Sequence, residues 1–310
     1  MRLYSWPALG GVDLLGFRIG GPGLGNLLFP WARWALATRL YGMVGIRPTW
    51  PQVKLGPLLR RERDVRWYGS LFREDDQYIG GARKARLLLS LPRVEEAGLY
   101  AGNVLSRTRR SSSAVVVFRG LDCLFEGFLK EHDTVKRLLR ASARPEVLSA
   151  AEAPAVSAIG VHVRMGDFRA ASTAGPVPGE TNRRIPIEWY VRIVVRLREL
   201  LGRETGVSVF SDGSDDELAP LLRLERCGRV MAGNALSDML ALARCDVLVP
   251  SASTFSQWAS FLGRMPVVWF PGQRGSGLYG EDLALEIEND GASSLPLAFA
   301  IAVRSRSRAT

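Results

Sequence analysis

The sequence predicts an α/β fold of two domains with parallel strands. Three observations carry that reading. A short apolar segment at 14–19 runs into a glycine-rich turn and then a long helical pattern at 27–41. Between 156 and 270, apolar strand candidates alternate with helix candidates, as in a parallel sheet covered on both faces. Three of those strands end in polar residues, near His162 and Arg164, Ser211 and Asp212, and Ser253 and Thr254. Ligands of such sheets bind beyond the carboxyl ends of the strands.

In the first half, Gly20, Gly21, Gly23 and Gly25 permit tight turning and close backbone approach before the helix. The spacing is neither the dinucleotide fingerprint nor a P-loop. Asn26 is placed to cap that helix or to reach into a cleft. Residues 47–76 interleave arginines and prolines with Trp50, Trp67, Tyr68 and Phe72. Such a stretch stacks on a sugar or a base, or simply buries its aromatics beneath a solvated surface. A short element is expected at 87–91, a basic loop at 107–113, a strand at 114–118 and a helix at 124–139, with His132 on the surface. Residues 141–155 read as a linker or interdomain helix, which puts domains at 1–150 and 151–310.

The second half opens with the strand 156–163. Alternation places His162 and Arg164 on one side and Val161 and Val163 on the other. A long loop follows at 169–184, then helix 187–201 and strand 207–210. Ser214 caps the next helix, with Asp215, Asp216 and Glu217 at its positive dipole end. A strand at 229–231, a helix at 237–243 capped by Ser237, a strand at 247–249, a helix at 257–262 and a strand at 266–270 complete the alternation.

Composition bounds the partners. The 310 residues are 47% hydrophobic and 23% charged, with 41 Lys plus Arg against 31 Asp plus Glu. A net charge of +10 favours anionic partners. Nucleic acid is not expected, because the basic residues are dispersed and no reading element is recognisable. Cys123, Cys227 and Cys245 form no CxxC pair, and His132 and His162 are the only histidines. No metal site is expected from that set, and scattered cysteines suit a reducing compartment. Residues 1–16 lack the pattern of a signal peptide, and no apolar run reaches about 18 residues. A cytoplasmic protein is expected. The arginines at 304, 306 and 308 read as a frayed basic terminus, or as a peripheral contact with anionic lipid at the inner face of the plasma membrane.

Each polar strand end has a plain reading. Arg164 pairs with Asp167 across the turn at Gly166, Asp212 is a turn residue, and Ser253 or Thr254 caps a helix. Together they have another. Arg164 facing a helix N-terminus makes a diphosphate clamp, because guanidinium offers a planar fork of donors and the free N–H groups favour an anion.

On these residues the chain resembles the α1,2-fucosyltransferase family and its α1,6- and protein O-fucosyltransferase relatives. The resemblance is carried by 21–29, by His-Val-Arg-Met-Gly-Asp at 162–167, by Val-Phe-Ser-Asp at 209–212 and by Ser-Ala-Ser-Thr-Phe-Ser-Gln-Trp at 251–258. The resemblance implies a GT-B fold, with two Rossmann-like domains facing a cleft, the donor held by the C-terminal domain and the acceptor on the N-terminal side. It implies inverting transfer of fucose from GDP-fucose to a glycan hydroxyl, in an α1,2 linkage, without a metal or other cofactor. Arg164 would contact the diphosphate and His162 would place the nucleotide. Ser211, Asp212, Ser253, Thr254 and Phe255 would line the donor site, joined from the N-terminal domain by Gly25 and Asn26. Asp167 is the candidate general base. The acceptor would be an oligosaccharide or glycolipid. Met165, Phe168, Ala252 and Gln257 stand where the family usually has arginine, tyrosine, asparagine and tryptophan. These departures motivate the alternatives, which are an inactive nucleotide-sugar or glycan binder, or a transferase of another nucleotide-sugar.

Overall fold

The computed structural model describes residues 2–56, 66–100, 113–166, 168, 183–274, 277–279 and 284–308. The chain divides into two units, Met1–Pro145 and Glu146–Thr310. Both are α/β structures whose main sheet is parallel.

The first unit runs β1 (Arg2–Ala8), β2 (Val12–Asp13), β3 (Arg18–Ile19), α1 (Leu24–Leu40), β4 (Val44–Gly45), β5 (Gln52–Val53), α2 (Gly81–Ser90), β6 (Arg93–Glu95), α3 (Glu96–Tyr100), β7 (Ser113–Arg119) and α4 (His132–Ser142). Its main sheet has the order β4-β1-β7-β6, all parallel. The unbroken apolar run from Ala114 to Phe118 buries β7 between its two end residues, as suits an inner parallel strand. Besides this sheet, β2, β3 and β5 form a small separate one.

Four expectations change here. Of the strand expected at 14–19, only 18–19 is a strand, β3; residues 14–17 turn between β2 and β3, which pair antiparallel. Arg18 is fully buried there and donates to the carbonyls of Leu9, Gly10, Thr49 and Trp50. The element at 87–91 is the end of the longer helix α2. The helix expected from 124 starts at His132, because Cys123 and Leu124 take positive φ and turns precede a short 3-10 stretch at Leu129–Glu131. His132 is buried rather than on the surface, with Nδ1 3.0 Å from Asp133.

The second unit begins with α5 (Pro145–Glu152) and β8 (Ile159–Val163). There follow α6 (Ile187–Leu201), β9 (Val207–Ser211), α7 (Asp215–Leu222), β10 (Cys227–Arg229), α8 (Ala235–Leu242), β11 (Val247–Val249), α9 (Thr254–Gly263), β12 (Val267–Trp269), β13 (Glu286–Glu288) and α10 (Leu297–Ser307). These six strands are parallel, in the order β10-β9-β8-β11-β12-β13. Counted within the unit this is 3-2-1-4-5-6, the order of a dinucleotide-type Rossmann sheet. Ile159, Val161 and Val163 pack on one face with Trp189, Ile193 and Leu197 of α6 and Phe299 and Val303 of α10. On the other face the end of α8 and the turn after it approach so closely that a Cβ at Gly160 would lie 2.9 Å from Leu242 Cδ1 and 2.8 Å from Cys245 Sγ.

Capping follows the sequence at α7, where Ser214 and Glu217 form a reciprocal capping box. At α8 the cap is Asn234, not Ser237; the Ser237 hydroxyl donates instead to the Val147 carbonyl. The strand expected at 229–231 ends at Arg229, and α9 starts three residues before 257. The basic terminus is the ordered helix α10, whose Arg306 donates to the carbonyls of Gly263 and Arg264. Among the described residues no helix is long and apolar enough to cross a membrane.

Candidate functional site

The strand order reverses between β8 and β11, and that switch point is where an open α/β sheet leaves a crevice at its carboxyl edge. His162 lies on β8 at this edge, and Ser251 to Ser256 lead from β11 into α9. His162 Nδ1 is 2.6 Å from Ser256 Oγ and 2.9 Å from Ser251 Oγ. Ser256 Oγ also accepts the Ser251 N–H at 3.2 Å, which leaves its proton for the imidazole. Ser253 caps α9 by accepting from the Ser256 N–H at 3.3 Å, and its hydroxyl is 3.0 Å from that of Ser251. The Phe255 ring stacks on the imidazole at 4.6 Å between centroids. Burial, and then the neighbouring charge of Arg164, push the His162 pKa down to about 3. The imidazole is therefore a neutral, fixed hydrogen-bonding group at neutral pH.

Beyond the strand, Arg164 Nη1 pairs with Asp212 Oδ2 at 2.6 Å, both about a quarter exposed. The other Asp212 oxygen accepts the Met165 N–H at 2.7 Å. Arg229 holds the loop that carries Asp212, donating to the carbonyls of Ser211 and Gly213 at 2.8 Å each. Ser211 Oγ donates to the Val163 carbonyl at 2.7 Å and accepts the Gly213 N–H. Gly166 leaves room for the carboxylate, since a Cβ there would collide with Asp212 Oδ2. The guanidinium of Arg164 also lies over the Phe168 ring, 5.8 Å from its centroid. The result is a partly exposed cation whose position is fixed by a carboxylate that is itself fixed by the backbone.

Six of the sequence candidates thus meet along one edge: His162 at the end of β8 and Arg164 just after it, Asp212 after β9, and Ser253, Thr254 and Phe255 at the start of α9. Ser211 is near them, but its hydroxyl is spent tying β9 to β8. The ion partner of Arg164 among the described residues is Asp212; Asp167, the proposed base, lies outside them, as do 107–112 and most of the 169–184 loop. Met165, where the resembled family has arginine, is buried in the core and its Cγ packs against Gly213. Ser251 and Ser256, which fix the imidazole, were legible only as part of a serine-rich run. Gly25 and Asn26 belong to the first unit. The cap of α1 is Gly23, and Asn26 sits in the first turn with its N–H on the Gly23 carbonyl. Among the described residues no group of three or more His, Cys, Asp or Glu side chains is placed to hold a metal ion.

Compared by sequence with protein-family models and with curated proteins, the chain gives no match. Compared by structure, it is similar to the NodZ α1,6-fucosyltransferase co-crystallised with GDP, with a TM-score of 0.50 and 17% identity over 87% of this chain and 94% of that one. It is also similar to a mutant of Arabidopsis thaliana FUT1 in complex with GDP, with a TM-score of 0.50 and 14% identity over 87% of this chain and 70% of that one. At these identities the likeness is one of fold. The chain has the two-domain, Rossmann-like GT-B fold of these enzymes.

Proposed function

We propose that the protein is an inverting, metal-independent glycosyltransferase that moves fucose from GDP-fucose to a glycan hydroxyl, with an α1,2 linkage. The observation that carries this reading is the joined arrangement at the switch point of the second unit. A fixed guanidinium, a neutral buried imidazole and a capped helix N-terminus share one sheet edge. The fold likeness to two fucosyltransferases solved with GDP supports the donor class.

In the proposed reaction the acceptor oxygen bonds to the anomeric carbon as the bond to the β-phosphate oxygen breaks. Negative charge grows on the leaving diphosphate. Arg164, preorganised by Asp212, and the N–H groups at the start of α9 stabilise that charge without rearranging. His162 with Phe255 places the nucleotide. Asp167 takes the acceptor proton as general base, and no metal is needed because Arg164 supplies the counter-charge. The second unit holds the donor and the first unit the acceptor, an oligosaccharide or glycolipid. We place the enzyme in the cytoplasm, peripheral to the inner face of the plasma membrane.

The test is release of GDP from GDP-fucose, with and without acceptor, in EDTA. Turnover is expected in EDTA, lowered ~10²–10³-fold in Arg164→Ala. Asp167→Asn should lose the pH dependence of the general base together with rate. A protein that binds GDP-fucose but releases no GDP would instead be the inactive binder suggested by Met165. A protein that turns over another nucleotide-sugar would keep the chemistry and change the donor.

A further inference from the structure

The small sheet of the first unit, β2-β3-β5, carries its apolar face outward. Paired residues of neighbouring strands lie on the same face, so Val12, Ile19 and Val53 make one row and Asp13, Arg18 and Gln52 the other. A sheet with one wet face ordinarily packs its apolar side inward. Here the polar row is the inner one. Arg18 and Gln52 are buried, and Asp13 accepts from the Thr49 hydroxyl at 2.7 Å and from Lys84 Nζ at 3.4 Å. Arg18 donates to four carbonyls. Those bonds fix the register, because a slip of one residue would turn every side chain over and strip the guanidinium of its acceptors.

The apolar row is thereby held in solvent. Leu14, Leu15 and Phe17 of the turn and Leu55 after β5 add to it, and the seven side chains are between 38% and 68% exposed. Together they present on the order of 600 Å² of apolar surface, the upper end for the largest patch of a monomer and near the ~800 Å² that each partner gives to a standard interface. Charge selects the occupant. The charged residues of 12–20 and 52–56 are Asp13, Arg18 and Lys54. Lys54 donates to the Gly21 carbonyl, and the other two are held on the inner face. Among these described residues the outer face therefore offers no outward cation to an anionic bilayer and no ion partner to a charged peptide. An apolar face depleted of charge has the composition of a homodimer core, and a face lying on a twofold axis meets only itself.

We infer that this face is a dimer interface, on which a second copy of the chain packs sheet against sheet, with Ile19 of the middle strand at its centre. The test is sedimentation equilibrium of the full chain at low and high salt. Wild type is compared with Ile19→Lys, with the double variant Leu14→Ser, Phe17→Ser, and with Leu297→Lys, a change at an exposed apolar residue of α10. Wild type should dimerise with a Kd of about micromolar or tighter. The dimer should be stronger at high salt, which screens the +10 charge of each copy. Ile19→Lys should weaken it about 100-fold and the double variant about ten-fold, while Leu297→Lys leaves it unchanged. Unfolding midpoints of the dilute monomers should match wild type. The double variant adds no charge and decides alone should Ile19→Lys lower its midpoint. A wild type that stays monomeric far above micromolar concentration, a dimer that resists the face variants, or one weakened equally by Leu297→Lys would overturn the inference. So would a monomer that binds phosphatidylserine vesicles and loses them in the double variant, since the face would then meet a membrane.

Discussion

At the scale of single residues, the site depends on groups that hold other groups. Arg164 is aimed by Asp212, Asp212 by the Met165 N–H and the Arg229-bound loop, and His162 by two serines. Gly166→Ala should therefore act like a mutation of the ion pair, since its Cβ displaces Asp212. GDP affinity should fall about ten-fold with little change in folding; a Gly166→Ala protein that binds GDP as well as wild type would break this chain of support. His162 makes a separate claim. Its folded pKa, about 3, lies below the ordinary 6.5, so the unfolded chain takes up the proton first. Stability from this group is complete above pH 6.5 and is lost as pH falls toward 3. Between pH 7 and 5 the loss is about 2 kcal/mol. Urea unfolding at the two pH values should show it, and His162→Asn should flatten it.

At the scale of elements, the strands and helices around the switch point were legible because local signals agreed. The run 159–163, the apolar stripe of α6 and the Ser214 to Glu217 box all point the same way. Other elements were hidden by competing cues. Pro7 argues against a strand at β1, yet β4 pairs only with Tyr4 and Ser5, so the missing N–H lies beyond that pairing. The start of α4 is set by the positive φ of Cys123 and Leu124, which no periodicity displays. The arginines of α10 looked like a tail because Phe299 and Val303 find their partners on α6 and β8, far away in sequence. In the candidate site, the residue types at the strand ends were readable. The Arg164–Asp212 pair was not, because tertiary structure joins residues from two different strand ends. Close packing between elements can also be tested. Gly160→Ala puts a methyl against Cys245 and Leu242 and should cost about 1–3 kcal/mol in chemical denaturation.

At the scale of the whole molecule, the +10 charge has a structural share. Many arginines hold carbonyls of loops and element ends: Arg18, Arg33, Arg144, Arg198, Arg244 and Arg306 each donate to main-chain oxygens. Guanidinium suits this use because its several donors reach diverging acceptors at once. The basic balance therefore points less to nucleic acid than the bare count does. It leaves a molecule whose two parallel units offer different chemistries. The second unit fixes a cation and a helix N-terminus at a sheet edge, suited to a diphosphate. The first unit holds a cavity whose lining carries both charges, Arg47, Arg73 and Lys84 beside Glu74, Asp75 and Asp76.

The central claim is that Arg164, held by Asp212, clamps a guanosine diphosphate. Calorimetric titration of the purified protein with GDP, UDP and ADP in EDTA tests it most directly. GDP should bind selectively without metal, and the binding should be lost in Arg164→Ala. Equal affinity in Arg164→Ala, or no binding of any of the three by wild type, would contradict it.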